Sequence, residues 1–467
     1  MDSSWQVRCL QDRIQSLNSE IARVRQKDHP YPEPNAIFRT LLAVLSDRQS
    51  RFDKAVKRYS SAGRERLLEE TALTTATQLD EIAEAFGLAD RVDSARIPFE
   101  ILRAVSWVAS SILEEACRVA VRLDGAYNYS IVSCRRRFTR LRWNKFWDEA
   151  TRELGPEGRF TILVLGFPSA HANSILLHAL AAHELGHLVR GRFTEELEEI
   201  RTKAVEAAKH RHSELLQEYI LDNVRRREGV LGRDAYDESS RRMEARLGQL
   251  ADDWLGEVFA DLVAATLVGP AFLAAFDEIV LELGKPSLTH PPGTLRRGLV
   301  KEYLQQRLQK VADDAVWSGV LQREVASDPL FGPREVDGDP DRPLYSVGQT
   351  ICREGLRELS AVAMRIPSPL ETADLKKIVD QMEDHIEHLS PPSAGLDDSA
   401  PITPDEFWRL MYAGWHFRLN DERFAEFKTN NAWDDGNAEH VIGNLVMHAL
   451  ESMELRHQWQ KYRENKE

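Results

Sequence analysis

With 467 residues the chain is long enough for more than one packed unit, and 42% apolar with 29% charged residues excludes a disordered chain. A formal net charge of −14, from 75 acidic against 61 basic side chains, excludes nucleic acid as the default partner. The four cysteines, Cys9, Cys117, Cys134 and Cys352, lack paired spacing, which excludes a disulfide framework or a thiolate zinc site and points to a reducing compartment.

Near the start, Val7, Leu10, Ile14, Leu17, Ile21 and Val24 recur at alternating spacings of three and four, the period of a two-helix seam. So short a heptad run fits an antiparallel hairpin within the chain as well as self-association. HPYPEP at 29 to 34 stops that helix. Residues 36 to 123 are expected to be helical throughout, with Ile37, Leu41, Leu42 and Leu45 on one apolar face and Ile101, Val105, Val108 and Ile112 on a later one. Strands are expected at Tyr127 to Ser133 and Phe160 to Leu165, flanking a short helix around Lys145 to Leu154. The next helix has Ser174 as a candidate N-cap and Gly191 as a stop.

Between Phe193 and Asp253 the sequence is charged and helical apart from a loop near Gly229 to Gly232, the pattern of an insertion projecting from a core. Pro, Gly and Asp-rich stretches at 327 to 350 and 390 to 404 read as linkers. The aromatic C-terminal part, with Trp408, Tyr412, Trp415, Phe417, Phe424, Phe427 and Trp433, reads as helical core.

The uncharged stretch from Thr161 to His183 reaches membrane-span length but contains Gly166, Pro168, Asn173 and three histidines, so it reads as a strand followed by a helix. Leu262 to Phe276 is short and broken at Gly269 and Pro270. No membrane span is expected. Without an apolar segment of signal-peptide type near Met1, the expected location is cytoplasmic.

AAHELGHLV places His183 and His187 four residues apart, on one face of a helix, where two imidazoles can grip one metal ion. Glu184 beside them can take a proton from a zinc-bound water. Catalytic zinc needs a third protein ligand. The spacing that would supply a histidine at 193 fails, because Arg190 and Phe193 stand where glycine and histidine are required. Downstream, DDWLGEVFADLVA offers Glu257 and Asp261 on one face of an apolar helix. Glu257 is the expected third ligand, and Asp261 the acceptor for the second nitrogen of a ligand histidine. His178, His385 and His388 are not expected to bind metal.

H-E-x-x-H followed by E-x-x-A-D resembles the glutamate-type zincins (gluzincins), and especially the Ste24 and HtpX peptidase family. The later THPPGTLRRGL, with Thr289, His290, Pro291 and either Arg296 or Arg297, is similar to that family's Thr-His-Pro segment and downstream arginine. The resemblance covers about residues 155 to 300 and implies that His290 lies near the metal and stabilises the oxyanion. It also implies that an extended substrate lies along an edge strand, for which Phe160 to Leu165 is the counterpart. Many relatives are membrane-embedded; this chain departs from them in lacking a span.

The expected fold is mainly α with a small β-sheet (α+β), a zincin-like metallopeptidase core with helical additions at both ends. Its division is a helical region at 1–125, the core at 126–325 with the insertion at 193–253, a linker at 326–350 and a helical region at 351–467. The expected function is zinc-dependent endopeptidase, cutting a protein or peptide substrate and held latent until activated by a partner or signal; the expected partners are a regulatory protein or a second copy of the chain, bound through the helical regions. The alternative is a helical interaction or regulatory protein with a structural or degenerate metal site; Glu184 speaks against it, because a structural site has no use for that carboxylate.

Overall fold

The computed structural model describes the chain apart from residues 1–2, 27–31, 91–98, 125–128, 153–160, 169–173, 226–232, 280–286, 324–340, 393–402 and 465–467. Outside the described residues therefore lie the first half of the HPYPEP break, Tyr127, Phe160, the Gly229 to Gly232 loop and most of both linkers. The protein is mainly helical with one small sheet, and its contacts divide it into two compact units, Met1–Asn173 and Ser174–Glu467.

The first unit runs α1 (Ser3–Arg25), α2 (Pro32–Ser61), α3 (Glu65–Asp90), α4 (Phe99–Leu113), β1 (Cys117–Asp124), β2 (Ser130–Ser133), α5 (Cys134–Arg140), α6 (Asn144–Arg152) and β3 (Thr161–Pro168). The heptad stripe of α1 is buried at Val7, Ile14, Leu17, Ile21 and Val24, and α1 packs on α2 and α3 of its own chain. Residues 117 to 124 are a strand, not the end of the expected helical stretch. In CRVAVRLD, Val119 and Val121 alternate with polar or small neighbours, and the segment pairs in parallel with β3. The hydroxyls of Ser106 and Ser110, one turn apart on α4, accept the N–H groups of Val119 and Cys117.

The sheet order is β1-β3-β2, with β2 antiparallel to β3. β3 is apolar and buried along its whole length, as a central strand must be. Residues 163 to 166 are paired on both sides, so β3 offers no free row of backbone groups there, and the expected edge strand for substrate is not one. Pairing also ties all three strands to the N-terminal helices, so the compact-unit boundary falls at 173/174 and not at 125/126.

The second unit begins with a 3-10 segment (Ile175–Leu180), α7 (Ala181–Val189) and a 3-10 turn (Arg190–Arg192), followed by α8 (Thr194–Arg211), α9 (Ser213–Arg225), α10 (Arg233–Val268), α11 (Pro270–Ile279) and α12 (Gly293–Arg307). It continues with α13 (Gln309–Ala312), α14 (Ala315–Gln322), α15 (Arg342–Ala363), α16 (Leu375–Glu387), α17 (Asp405–Leu419), α18 (Asp421–Asn431) and α19 (Asp435–Glu464). At 36 residues, α10 is roughly 54 Å long and forms the spine against which α7, α15, α12 and α11 pack. It ends where Gly269 adopts φ +64°, and Pro270 opens α11.

α7 crosses α10 at Gly186. A Cβ there would lie 2.7 Å from Ala260 Cα, so only glycine permits this approach. The described residues of 193–253 do not project from a core: α8 and α9 pack on α10 and α15. Leu197, Ile200, Ala204 and Ala208 bury one face of α8, which packs on α15, and Gly355 of α15 approaches Ile200 and Leu255. The C-terminal helices complete the same unit: the buried Trp415 of α17 donates its indole N–H to Leu176 O at 2.8 Å, just before the motif helix. Among the described residues, no helix is long and apolar enough to cross a membrane.

Candidate metal centre

α7 and α10 bring the sequence-selected residues together. His183 and His187 lie one turn apart on α7, with Nε2 atoms 3.1 Å from each other and rings at 86°. From α10, Glu257 sets Oε2 3.5 Å from His183 Nε2 and Oε1 3.3 Å from His187 Nε2. Zinc bonds of about 2.0–2.1 Å at tetrahedral angles would hold ligand atoms about 3.3 Å apart. The three separations cluster at that value, so the residues fit such an ion. This is the only trio of His, Cys, Asp or Glu placed to hold a metal among the described residues.

A second layer of contacts orients these groups. Asp261, fully buried one turn beyond Glu257, stands with Oδ1 2.8 Å from His183 Nδ1. Accepting the Nδ1 proton leaves the Nε2 lone pair directed at the shared point. Arg296 of α12 clamps Asp261 with two bonds of 2.7 Å and reaches Glu257 Oε2 at 3.0 Å, with its guanidinium over the Phe276 ring. Arg297, its neighbour, turns instead to Asp277 and the carbonyl of Val320. Successive helical residues diverge by about 100°, so only one of the two arginines could reach the site.

Charge gives a second, independent argument. Glu184, Glu257 and Asp261 are three buried carboxylates against the Arg296 guanidinium and, without a metal, a protonated His183, so negative charge remains in surplus and a divalent cation would offset it. Burial disfavours a charged His183, but hydrogen bonds with Asp261 and Glu257 outweigh it and push its pKa up to about 10. Burial and the charge of His183 drive His187 down to about 3. The two rings thus share one proton, which a metal ion would displace. Burial would raise the Glu257 pKa, but His183 and Arg296 hold it well below the usual carboxylate range.

Glu184 is buried beside His183 on α7, and its charge contributes to the raised pKa of Arg296. His290 stands at the rim. Its side chain is 54% exposed, Nε2 is 3.9 Å from Glu257 Oε1, and Nδ1 is 2.9 Å from Thr289 Oγ1. His178 is fully buried outside the trio. Sequence reasoning did not single out Phe272, whose ring lies parallel to His183 with centroids 6.4 Å apart. Its only sequence signal was membership of the apolar run after Gly269 and Pro270.

Compared with protein-family models, curated proteins and solved structures, the chain matches none.

Proposed function

We propose that this chain is a zinc-dependent endopeptidase of the glutamate-zincin type. The convergence of His183 Nε2 and His187 Nε2, 3.1 Å apart, with the two Glu257 carboxylate oxygens, Oε2 at 3.5 Å from the first and Oε1 at 3.3 Å from the second, carries the assignment. In this reading α7 and α10 form the zincin-like core, and the three residues hold the ion. When bound, zinc supplies Lewis-acid polarisation of the scissile carbonyl and lowers the pKa of water.

The chain's own groups do the remaining work. Asp261 keeps His183 in the tautomer that presents Nε2, and Arg296 holds both Asp261 and Glu257 against rotation. Glu184 accepts a proton from the attacking water and passes it to the leaving amine. His290 donates a hydrogen bond to the developing oxyanion. A partly exposed His187 and an exposed His290 leave one side of the trio open to solvent, which suits a substrate site better than a closed four-ligand structural one. Substrates are proteins or peptides, and the long helical flanks favour an activity held latent until a partner binds.

Zinc content by mass spectrometry tests the assignment. Wild-type protein should carry about one zinc per chain and Glu257→Ala should lose most of it; wild-type protein that takes up no transition metal when supplied with zinc would overturn it.

A further inference from the structure

We propose that Trp254 is a positioning residue for the loop that carries His290, so that the turn of α10 that supplies Glu257 also sets where His290 stands. The inference rests on the peptidase reading for its catalytic consequence, but its structural basis is separate. Trp254 is fully buried, and its indole N–H donates to the carbonyl of Ser287 at 3.0 Å. A buried indole N–H must find an acceptor, and here that acceptor belongs to the loop. Trp254 and Glu257 are three residues apart, on the same side of α10. The indole is itself held by α15: Tyr345 stacks on it with centroids 6.2 Å apart, and Gly348 approaches so closely that a Cβ would lie 2.7 Å from Trp254 Cζ3.

From Ser287 the constraint passes to the imidazole through a closed set of hydrogen bonds. The Ser287 N–H donates to His290 O at 3.1 Å, and Ser287 Oγ accepts the N–H groups of His290 at 2.9 Å and Thr289 at 3.3 Å. With its lone pairs so engaged, the Ser287 hydroxyl donates to Thr289 Oγ1, 3.1 Å away, and the Thr289 hydroxyl donates to His290 Nδ1 at 2.9 Å. That order of donors leaves the proton of a neutral His290 on Nε2, the nitrogen facing Glu257 and the open side of the site. Removing the anchor at Ser287 O frees the whole turn.

Trp254→Phe keeps an aromatic ring and removes the donor; Gly348→Ala presses on the indole and on Leu250, whose Cδ2 would also lie 2.7 Å from the new Cβ, and both neighbours belong to α10 and neither to the loop or the metal trio. Hydrogen exchange of the peptide spanning 287 to 292, zinc content and steady-state kinetics on a generic protein substrate are read together. Expected for both variants are about one zinc per chain, loop exchange faster by about tenfold, and kcat lower by about tenfold with KM nearly unchanged, the size of one lost hydrogen bond. Loop exchange at the wild-type rate in Trp254→Phe overturns the proposal, as does faster exchange with unchanged kcat. If Trp254→Phe fails to fold, Gly348→Ala decides by the same readings. A wild-type protein without zinc removes the peptidase reading instead, and the exchange comparison still decides whether Trp254 holds the loop.

Discussion

Two places in the second unit bury histidine among carboxylates and an arginine, and they use it in opposite ways. At the α7–α10 crossing, two imidazoles and Glu257 aim their acceptor atoms at one point, while Asp261 and Arg296 stand behind them. At the second place, His416 of α17 is bonded at both nitrogens: Nδ1 lies 2.5 Å from Glu383 Oε1 of α16, and Nε2 lies 3.1 Å from Asp314 Oδ1, at the N-cap of α14. Arg423 closes that network on Glu383 Oε2 at 2.6 Å. Bridging two carboxylates requires an imidazolium with both N–H groups donating, so no lone pair remains for a metal. The lesson is that composition does not separate a ligand site from a polar strut; the direction of the lone pairs does.

The largest effect is expected from Glu184→Gln. It should lower kcat by about 10²–10⁴-fold, the typical worth of a general base, while zinc content stays at the wild-type level; a fully active variant would remove Glu184 from the chemistry. Next in size, His416→Ala should cost about 3–5 kcal/mol of stability in chemical denaturation, toward the lower end because Arg423 still pairs with Glu383. It should leave zinc content unchanged, which separates strut from site.

The same bridge has a pH signature. Burial would lower the His416 pKa, but its bonds to Asp314 and Glu383 outweigh that and raise it from 6.5 to about 9. A folded-state pKa above the unfolded one means that this stabilisation is complete below pH 6.5 and is lost as pH rises toward 9. The stability difference between wild type and His416→Ala should therefore shrink across that window, and a difference that is flat from pH 6 to 10 would contradict the bridge. The smallest effect is expected from Asp261→Asn, which weakens the orienting bond to His183 and should lower zinc affinity about 10–100-fold in chelator competition.

These two places also differ in how much of them could be read from the chain. His183, Glu184 and His187 sit within five residues, and helical periodicity alone puts both histidines on one face. Glu257 and Asp261 were legible for the same reason, as two acids one turn apart in an apolar stretch. Asp314 at the N-cap of α14 and Glu383, His416 and Arg423 on α16, α17 and α18 share no spacing, so no local pattern marks them.

The helical character of the chain, the break at Gly269 and Pro270, and the two pairs His183/His187 and Glu257/Asp261 were legible in the sequence, because each depends on residues within one or two helical turns; that the two pairs meet is a matter of how α7 packs on α10. Features that depend on partners far along the chain were set by packing. Cys117–Asp124 became a strand because β3 lay ready to pair with it, and β3 became central because β2 closed its other side. The expected insertion became core because α15 covers α8, and Arg296 rather than Arg297 met Asp261 because the orientation of α12 allows one of two adjacent side chains to face α10. Periodicity within an element tells which side is apolar; which neighbour covers that side is set by packing the whole unit at once.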